Sequence, residues 1–200
     1  MRARLALAIS TQTCELREVV LSRKPAELRQ VSAKATVPVL VDTDGRVLEE
    51  SLDIMLWALQ RHDPLRWLPA DDKLADTLQW IQRCDGEFKP QLDRYKYPNR
   101  FDISDPSEPH DAAARFLADL NQRLTEAPCL SGLDWGLADA AIAPFVRQFA
   151  HTDSHWFARQ PWPNLQTWLT NFEASQLFQK VMTNYPPWEP GQAQMLVFEL

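Results

Sequence analysis

Two kinds of hydrophobic spacing divide the chain. In the first third, helical and alternating patterns take turns. Residues 2–11 place Leu5, Ala8 and Ile9 on one helical face, and CELREVVL (14–21) is rich in the valine and leucine of strands. PAELRQVS follows with Pro25 at its head, where proline suits a first helical turn because no N–H is needed there. Val37–Val41 and Arg46–Glu49 predict a hairpin around Thr43-Asp44-Gly45. Leu52, Met55, Leu56 and Leu59 then predict a helix from Leu52 to about Arg61. The predicted order is α-β-α-β-β-α.

Beyond DPLRWLPADD the alternating pattern disappears and four helical stripes succeed one another: Leu74, Leu78, Ile81 and Phe88; Phe116, Leu117, Leu120 and Leu124; Leu137, Ala141, Phe145 and Phe149, with a kink expected at Pro144; and Leu165, Trp168, Leu169 and Phe172. The prolines of 97–110 separate the first stripe from the second. The pattern therefore predicts a small α/β domain (1–62), a linker (63–72), an all-helical domain (73–190) and an extended C-terminal tail (191–200).

Composition narrows the function without naming it. A net charge of −6, with no basic run longer than two residues, argues against nucleic acid and against an anionic membrane as partners. The apolar run Leu5–Ile9 is shorter than the roughly 7–15 residues of a signal core. No segment has the roughly 18–20 apolar residues that cross a bilayer. Three widely spaced cysteines (Cys14, Cys84, Cys129) read as reduced thiols, and a cytoplasmic location is expected. His151 and His155, four apart, lack a third ligand, so no metal is expected.

The chemistry concentrates in ATVPVLVDTDGRVLEES (35–51). Pro38 stands in a β-branched run where it removes a ladder donor. Either it is an ordinary edge-strand proline, or a cis Val37–Pro38 bond turns the Val37 backbone toward an extended ligand, as a sheet edge receives a visiting strand. Ser51 occupies the expected N-cap of the following helix, whose open N–H groups suit a carboxylate; simple capping is the alternative. Glu50 beside it suits an ammonium or is a solvated charge. Together the pair fits a ligand with an α-amino acid end.

TVPVLVDTDGRVLEESLDIMLWAL resembles the thioredoxin-fold half of cytosolic glutathione transferases, whose pattern is Val-Pro-(x)-Leu, a hairpin, then Glu/Gln-Ser opening a helix. The linker and the helical second half agree with that family. The resemblance implies a thioredoxin-like domain followed by an all-helical one. It implies glutathione as co-substrate, with Val37 pairing to the cysteinyl backbone, Pro38 as the cis-proline, and Glu50 and Ser51 on the γ-glutamyl end. SRKPAEL resembles the omega-like, cysteine-type bacterial subset, which puts Lys24 on the glycine carboxylate. In GLADAAIAPF, Asp139 takes the N3 place of the family's buried capping box, with Gly136 where the family has Ser or Thr; the expected cost is a few tenths of a kcal/mol.

One departure matters. Family members begin with a strand that lies inside the sheet, followed by the Cys, Ser or Tyr that acts on the glutathione sulfur. Here Met1 already falls within what resembles the first helix, and no residue matches the catalytic position, so none is assigned. A sequence truncated relative to the working protein, a non-catalytic relative, or a tail QMLVFEL (194–200) filling the strand's place would each explain this. By position in the family, Trp80, Arg94, Tyr95 and Tyr97 face a second substrate, with ordinary aromatic packing as the alternative. The expected function is a homodimeric glutathione S-transferase acting on a small hydrophobic, electrophilic or disulfide substrate, in the manner of detoxification. The alternative is a non-catalytic binding protein of the same fold.

Overall fold

In the computed structural model, which describes residues 1–193 and Met195–Leu196, the chain forms two units: Met1–Leu65 with the segment from Gln176 onward, and Arg66–Ser175. The first unit begins α1 (Arg2–Ile9), β1 (Cys14–Glu15), α2 (Ala26–Val31), β2 (Leu40–Val41), β3 (Val47–Leu48) and α3 (Ser51–Arg61), the predicted α-β-α-β-β-α order. Helix α1 is buried along its whole length and packs on α3. Strand β1, however, stops at Glu15 instead of reaching Leu21. The Arg23 N–H bonds back to the Val20 carbonyl at 2.8 Å, and Leu21 is 65% exposed. Among the described residues, valine and leucine there have no neighbouring strand, and propensity without cross-strand partners does not make a ladder. Pro25 likewise stands at the N-cap of α2, one position before the helix.

The hairpin pairs Leu40 with Leu48 and Val41 with Val47 around Gly45, whose φ of +87° only glycine adopts without strain. Leu40 and Leu48 join Ala3, Ile54 and Trp57 in a small core. Asp42, at the hairpin's far end, ties it to α3. Its carboxylate accepts the Trp57 indole N–H at 2.7 Å, the Arg61 guanidinium at 2.6 Å and the Thr43 N–H at 2.7 Å. The Trp57 hydrogen bond, with those from Thr43 and Arg61, holds the Asp42 carboxyl below the ordinary aspartate value against the opposing effect of burial. A depressed carboxyl contributes stability that is complete above the unfolded-state value and is lost as pH falls through the folded one. Asp42→Asn is therefore expected to lower the melting midpoint at neutral pH and to flatten its fall below about pH 4, the ordinary aspartate range. A variant whose acid limb parallels the parent's would refute this.

The second unit contains α4 (Asp71–Arg83), a π-helical turn (Cys84–Phe88), α5 (Lys89–Lys96), a 3-10 turn (Pro98–Arg100), α6 (Ser107–Arg123), α7 (Leu137–Ala150), α8 (Ser154–Ala158) and α9 (Pro163–Ala174). The π turn has a local cause. Pro90 has no N–H and its ring would strike the carbonyl four residues back, and the widened turn before it, with the Lys89 N–H on the Cys84 carbonyl, lets the helix continue. Helix α7 runs through Pro144 without a break and packs on α4, α5 and α9. The predicted linker ends early: Trp67 is buried, and its carbonyl accepts the Leu137 N–H at 2.9 Å, satisfying an open donor at the start of α7.

Asp139 organises that helix start. It is fully buried and accepts from the backbone N–H groups of Leu130 (2.7 Å), Ser131 (3.0 Å) and Gly136 (3.2 Å) and from the Trp168 indole (2.8 Å). Gly136 is more than a weak cap. A Cβ there would lie 2.6 Å from Ser131 Oγ and 2.7 Å from Ser131 Cβ, so Ser131 already fills the space that a serine cap's side chain needs. Gly136→Ser is expected to destabilise by about 1–3 kcal/mol through overpacking, despite the better cap. Ser131→Gly in the same chain should recover most of that loss in urea unfolding. Stabilisation by the single change would contradict the clash.

The helical unit closes at Ser175, short of the predicted boundary at residue 190, because α10 (Gln176–Val181) packs on α1. Arg4 is the fastener. It donates to the carbonyls of Val181 (3.2 Å) and Thr183 (3.1 Å), pairs with Glu18 at 2.5 Å and lies 5.2 Å from the Tyr185 ring centroid. The Trp188 N–H then bonds the Glu18 carbonyl at 2.7 Å. β4 (Met195–Leu196) pairs antiparallel with β1, opposing Leu196 to Cys14 and Met195 to Glu15. Among the described residues no strand joins the β1–β4 pair to the hairpin. The rest of the predicted tail strand, Gln194 and residues 197–200, lies outside the described residues.

Candidate functional site

The hairpin sets the geometry of the first unit's candidate site. Leu40 opposes Leu48 and Val41 opposes Val47. The Val37–Pro38 bond is cis, and Val37 is 45% exposed. Val37 and Pro38 lie just before β2, and Glu50 and Ser51 just after β3. Lys24, half-buried just before α2, belongs to the same unit.

The helix start differs by one residue from the apolar pattern. Glu50, with extended backbone, is the N-cap residue, and its carbonyl accepts the Ile54 N–H at 3.1 Å; Ser51 is the first helical residue. Helical backbone begins before the first core-facing side chain, which is why apolar spacing missed it. No side chain caps α3. Its first-turn N–H groups, with the positive end of the helix dipole, are therefore not taken by the side chain of its N-cap residue.

A residue absent from the sequence-based set completes the picture. Lys34 Nζ lies 3.0 Å from Glu50 Oε1. The turn carrying it is built by Ser32, which is buried, donates to Glu49 Oε1 at 2.6 Å and accepts the Ala35 N–H at 3.1 Å, while Ala35 takes a left-handed φ of +48°. Glu50, followed by Glu49 and Asp53, raises the Lys34 ammonium above the ordinary lysine value. The only sequence signal was a lysine in a small-residue turn just before Val-Pro.

In the helical unit the predicted second-substrate residues are separately engaged. Trp80 lies 4.8 Å from the Arg83 guanidinium and 5.3 Å from that of Arg123, and packs on Phe116. Both arginines are paired, with Asp119 and Asp76, so the ring borders ionic groups and not an apolar wall. The Tyr95 ring joins His110 and Phe149 in an aromatic cluster, and Tyr97 is flanked by Lys96 and Arg100 at 5.1 and 4.2 Å. Arg94 is exposed on α5. No contact between these four predicted side chains brings them into one arrangement. A groove of about 630 Å³ between the α4–α5 run and α6 is lined instead by Arg83, Glu87, Gln91, Arg115, Phe116 and Asp119, among others.

The thiols are poor nucleophiles. Burial, then the charges of Asp139 and Asp134, push Cys129 up to about 12; burial also raises Cys14; and Cys84 is wholly enclosed. Among the described residues, no three His, Cys, Asp or Glu side chains form a group that could hold a metal ion. Nor, among the described residues, is any helix long and apolar enough to cross a membrane.

An α/β unit with an exposed cis-proline loop, joined in sequence to an all-helical unit, is the two-domain arrangement of thioredoxin-like transferases. Residues 1–66 match the family model described as the glutathione S-transferase N-terminal domain, and residues 110–171 that of the glutathione S-transferase C-terminal domain. Together these cover well over half of the chain, which belongs to the glutathione S-transferase family. The fold is similar to poplar glutathione transferase F1 (TM-score 0.76, 19% identity, 90% of each chain covered). It is also similar to BphK, a bacterial member solved as a ternary complex (0.77, 20% identity, 90% and 92%). A Burkholderia graminis transferase with two glutathione molecules bound per subunit aligns at 0.73, with 20% identity over 90% of this chain and 81% of that one. No curated protein matches the chain.

Proposed function

We propose that this chain binds glutathione at the hairpin end of its first unit and transfers it to a small electrophilic or disulfide substrate. The observation that carries the reading is the cis Val37–Pro38 bond beside an exposed Val37, in a hairpin that leads directly into Glu50, the N-cap residue, and Ser51, the first residue of α3. The Val37 N–H and C=O take the cysteinyl backbone as a strand edge takes a peptide. Glu50 takes the γ-glutamyl ammonium, and Ser51 with the α3 N–H groups takes its carboxylate. Lys24 reaches the glycine carboxylate, as in the omega-like subset.

The uncapped start of α1 would favour the thiolate of the bound tripeptide. The thiol proton passes to solvent; the thiolate then forms an S–C bond as a leaving group such as halide departs with its bonding electron pair, or forms a mixed disulfide as the other sulfur of a disulfide leaves as thiolate. No side chain of this chain is assigned to the sulfur. The setting is proposed to be cytoplasmic, with a homodimer as the working form.

Isothermal calorimetry of the whole chain with reduced glutathione tests the first half. A dissociation constant between about 1 μM and 1 mM is expected, the usual range for enzyme substrates. No binding heat at millimolar glutathione sinks the proposal. Conjugation of a chloronitroaromatic, followed by absorbance, tests the second half. Binding without conjugation would leave a non-catalytic binding protein of the same fold.

A further inference from the structure

We infer that residues 183–192 form a strap latched over the first turn of α1, which opens when a thiol-bearing ligand reaches that turn. The inference rests on the glutathione reading, which brings the ligand sulfur to the start of α1, and adds to it a device by which the chain controls its own site.

The strap is tied at both ends. Before it, α10 packs on α1 and Val181 is buried; after it, β4 pairs with β1. Between these anchors no residue from Met182 to Gln192 is buried. Pro186, Pro187 and Pro190 restrict the backbone, and Gly191 turns it with a φ of +87°. A segment with no buried apolar residue belongs to the least stable part of a fold and opens locally while the rest stays closed.

What holds the strap is polar and converges on α1. Arg4 is the third residue of that helix, and helical side chains lean toward the N-terminus, so its guanidinium lies along the first turn. There it donates to the carbonyls of Val181 and Thr183, pairs with Glu18 and meets the Tyr185 ring. Trp188 is the second fastening. Its N–H bonds the Glu18 carbonyl at 2.7 Å, and its ring centroid lies 4.8 Å from the Arg17 guanidinium.

These contacts oppose what the ligand needs. The dipole and open N–H groups of α1 favour a thiolate at its start, and Arg4 is a further cation in the same turn. With the strap closed, the Arg4 charge is already engaged by Glu18 and two carbonyls. Arg2 and Ala3, in the same turn, are only 5% and 7% exposed. Ligand sulfur and strap therefore compete for one turn. The sulfur takes the place of the Thr183 carbonyl and the Tyr185 ring beside Arg4, while α10 and β4 keep the lifted strap attached for reclosure. Affinity is lowered in proportion to the closed population.

The test compares the full chain with its Tyr185→Ala/Trp188→Ala variant, which removes both ring contacts and leaves Arg4 in place. Saturating glutathione is expected to speed amide hydrogen exchange across residues 183–192 of the parent. In calorimetry the double variant is expected to bind glutathione about three- to tenfold tighter than the parent, within the combined reach of two exposed cation–π contacts. Arg4→Met is expected to raise exchange across the strap without any ligand. Exchange that glutathione leaves unchanged or slows, a double variant with no gain in affinity, or a strap still protected in Arg4→Met overturns the inference and leaves the glutathione reading intact. If neither the parent nor the double variant binds glutathione, that reading fails and the inference with it.

Discussion

Asp139→Ala is expected to lower the thermal midpoint by roughly 8–16 °C, the largest effect of any single substitution considered for this chain. The carboxylate is the acceptor for four buried donors, on Leu130, Ser131, Gly136 and Trp168. Alanine leaves all four without it. Each buried unsatisfied donor costs about 1–3 kcal/mol, although entering water and relaxation keep the sum below four full penalties. A loss of about 4 kcal/mol is a reasonable centre, and a domain-sized protein loses about 2–4 °C per kcal/mol. Asp139→Asn should lie between. It keeps one acceptor oxygen but turns an NH2 group toward two of the donors, for a loss of about 2–3 kcal/mol. Burial raises the Asp139 carboxyl above the ordinary aspartate value, and the hydrogen bonds from Ser131, Trp168, Leu130 and Gly136 act the other way. A midpoint within about 2 °C of the parent for the alanine variant would show that the network contributes little.

The second large effect concerns the ligand. Glu50→Gln combined with Ser51→Ala is expected to weaken glutathione binding about thirtyfold or more. A hydrogen bond to a charged partner contributes about 1.5–3 kcal/mol and a neutral one about 0.5–1.5, and every 1.4 kcal/mol is a factor of ten. The same double variant should melt within about 2 °C of the parent, because surface changes away from caps and cores are nearly neutral. Neither side chain caps α3, and the ion pair of Glu50 with Lys34 is exposed. The separation matters: affinity falls with stability unchanged only if these groups hold ligand and not fold. Calorimetry giving the double variant an affinity within threefold of the parent would remove Glu50 and Ser51 from the site.

Much of this was legible in the chain. Asp44-Gly45 between two β-branched runs marked the hairpin because a left-handed glycine is a local requirement, and the turn forms where expected. Leu165, Trp168, Leu169 and Phe172 marked α9 because a helix that buries one face must repeat near 3.6 residues, and all four are buried. Less legible were features that depend on what stands opposite. The valine-rich run after Glu15 has strand composition but, among the described residues, no partner strand, and it turns back at Val20–Arg23. Tyr95 and Trp80 have the composition of a substrate wall, yet one joins an aromatic cluster and the other lies against paired arginines.

What the sequence by itself determined, then, is the order of elements, the hairpin, the helical stripes and the Val-Pro and Glu-Ser pairs, since each follows from turn chemistry or periodicity within a few residues. Tertiary structure alone decided the rest. It set Lys34 against Glu50 across sixteen positions, Ser131 in the space beside Gly136, and Arg4 on the carbonyls of Val181 and Thr183 at the other end of the chain. Those contacts depend on how folded segments meet, and no local spacing encodes where a distant side chain will come to rest.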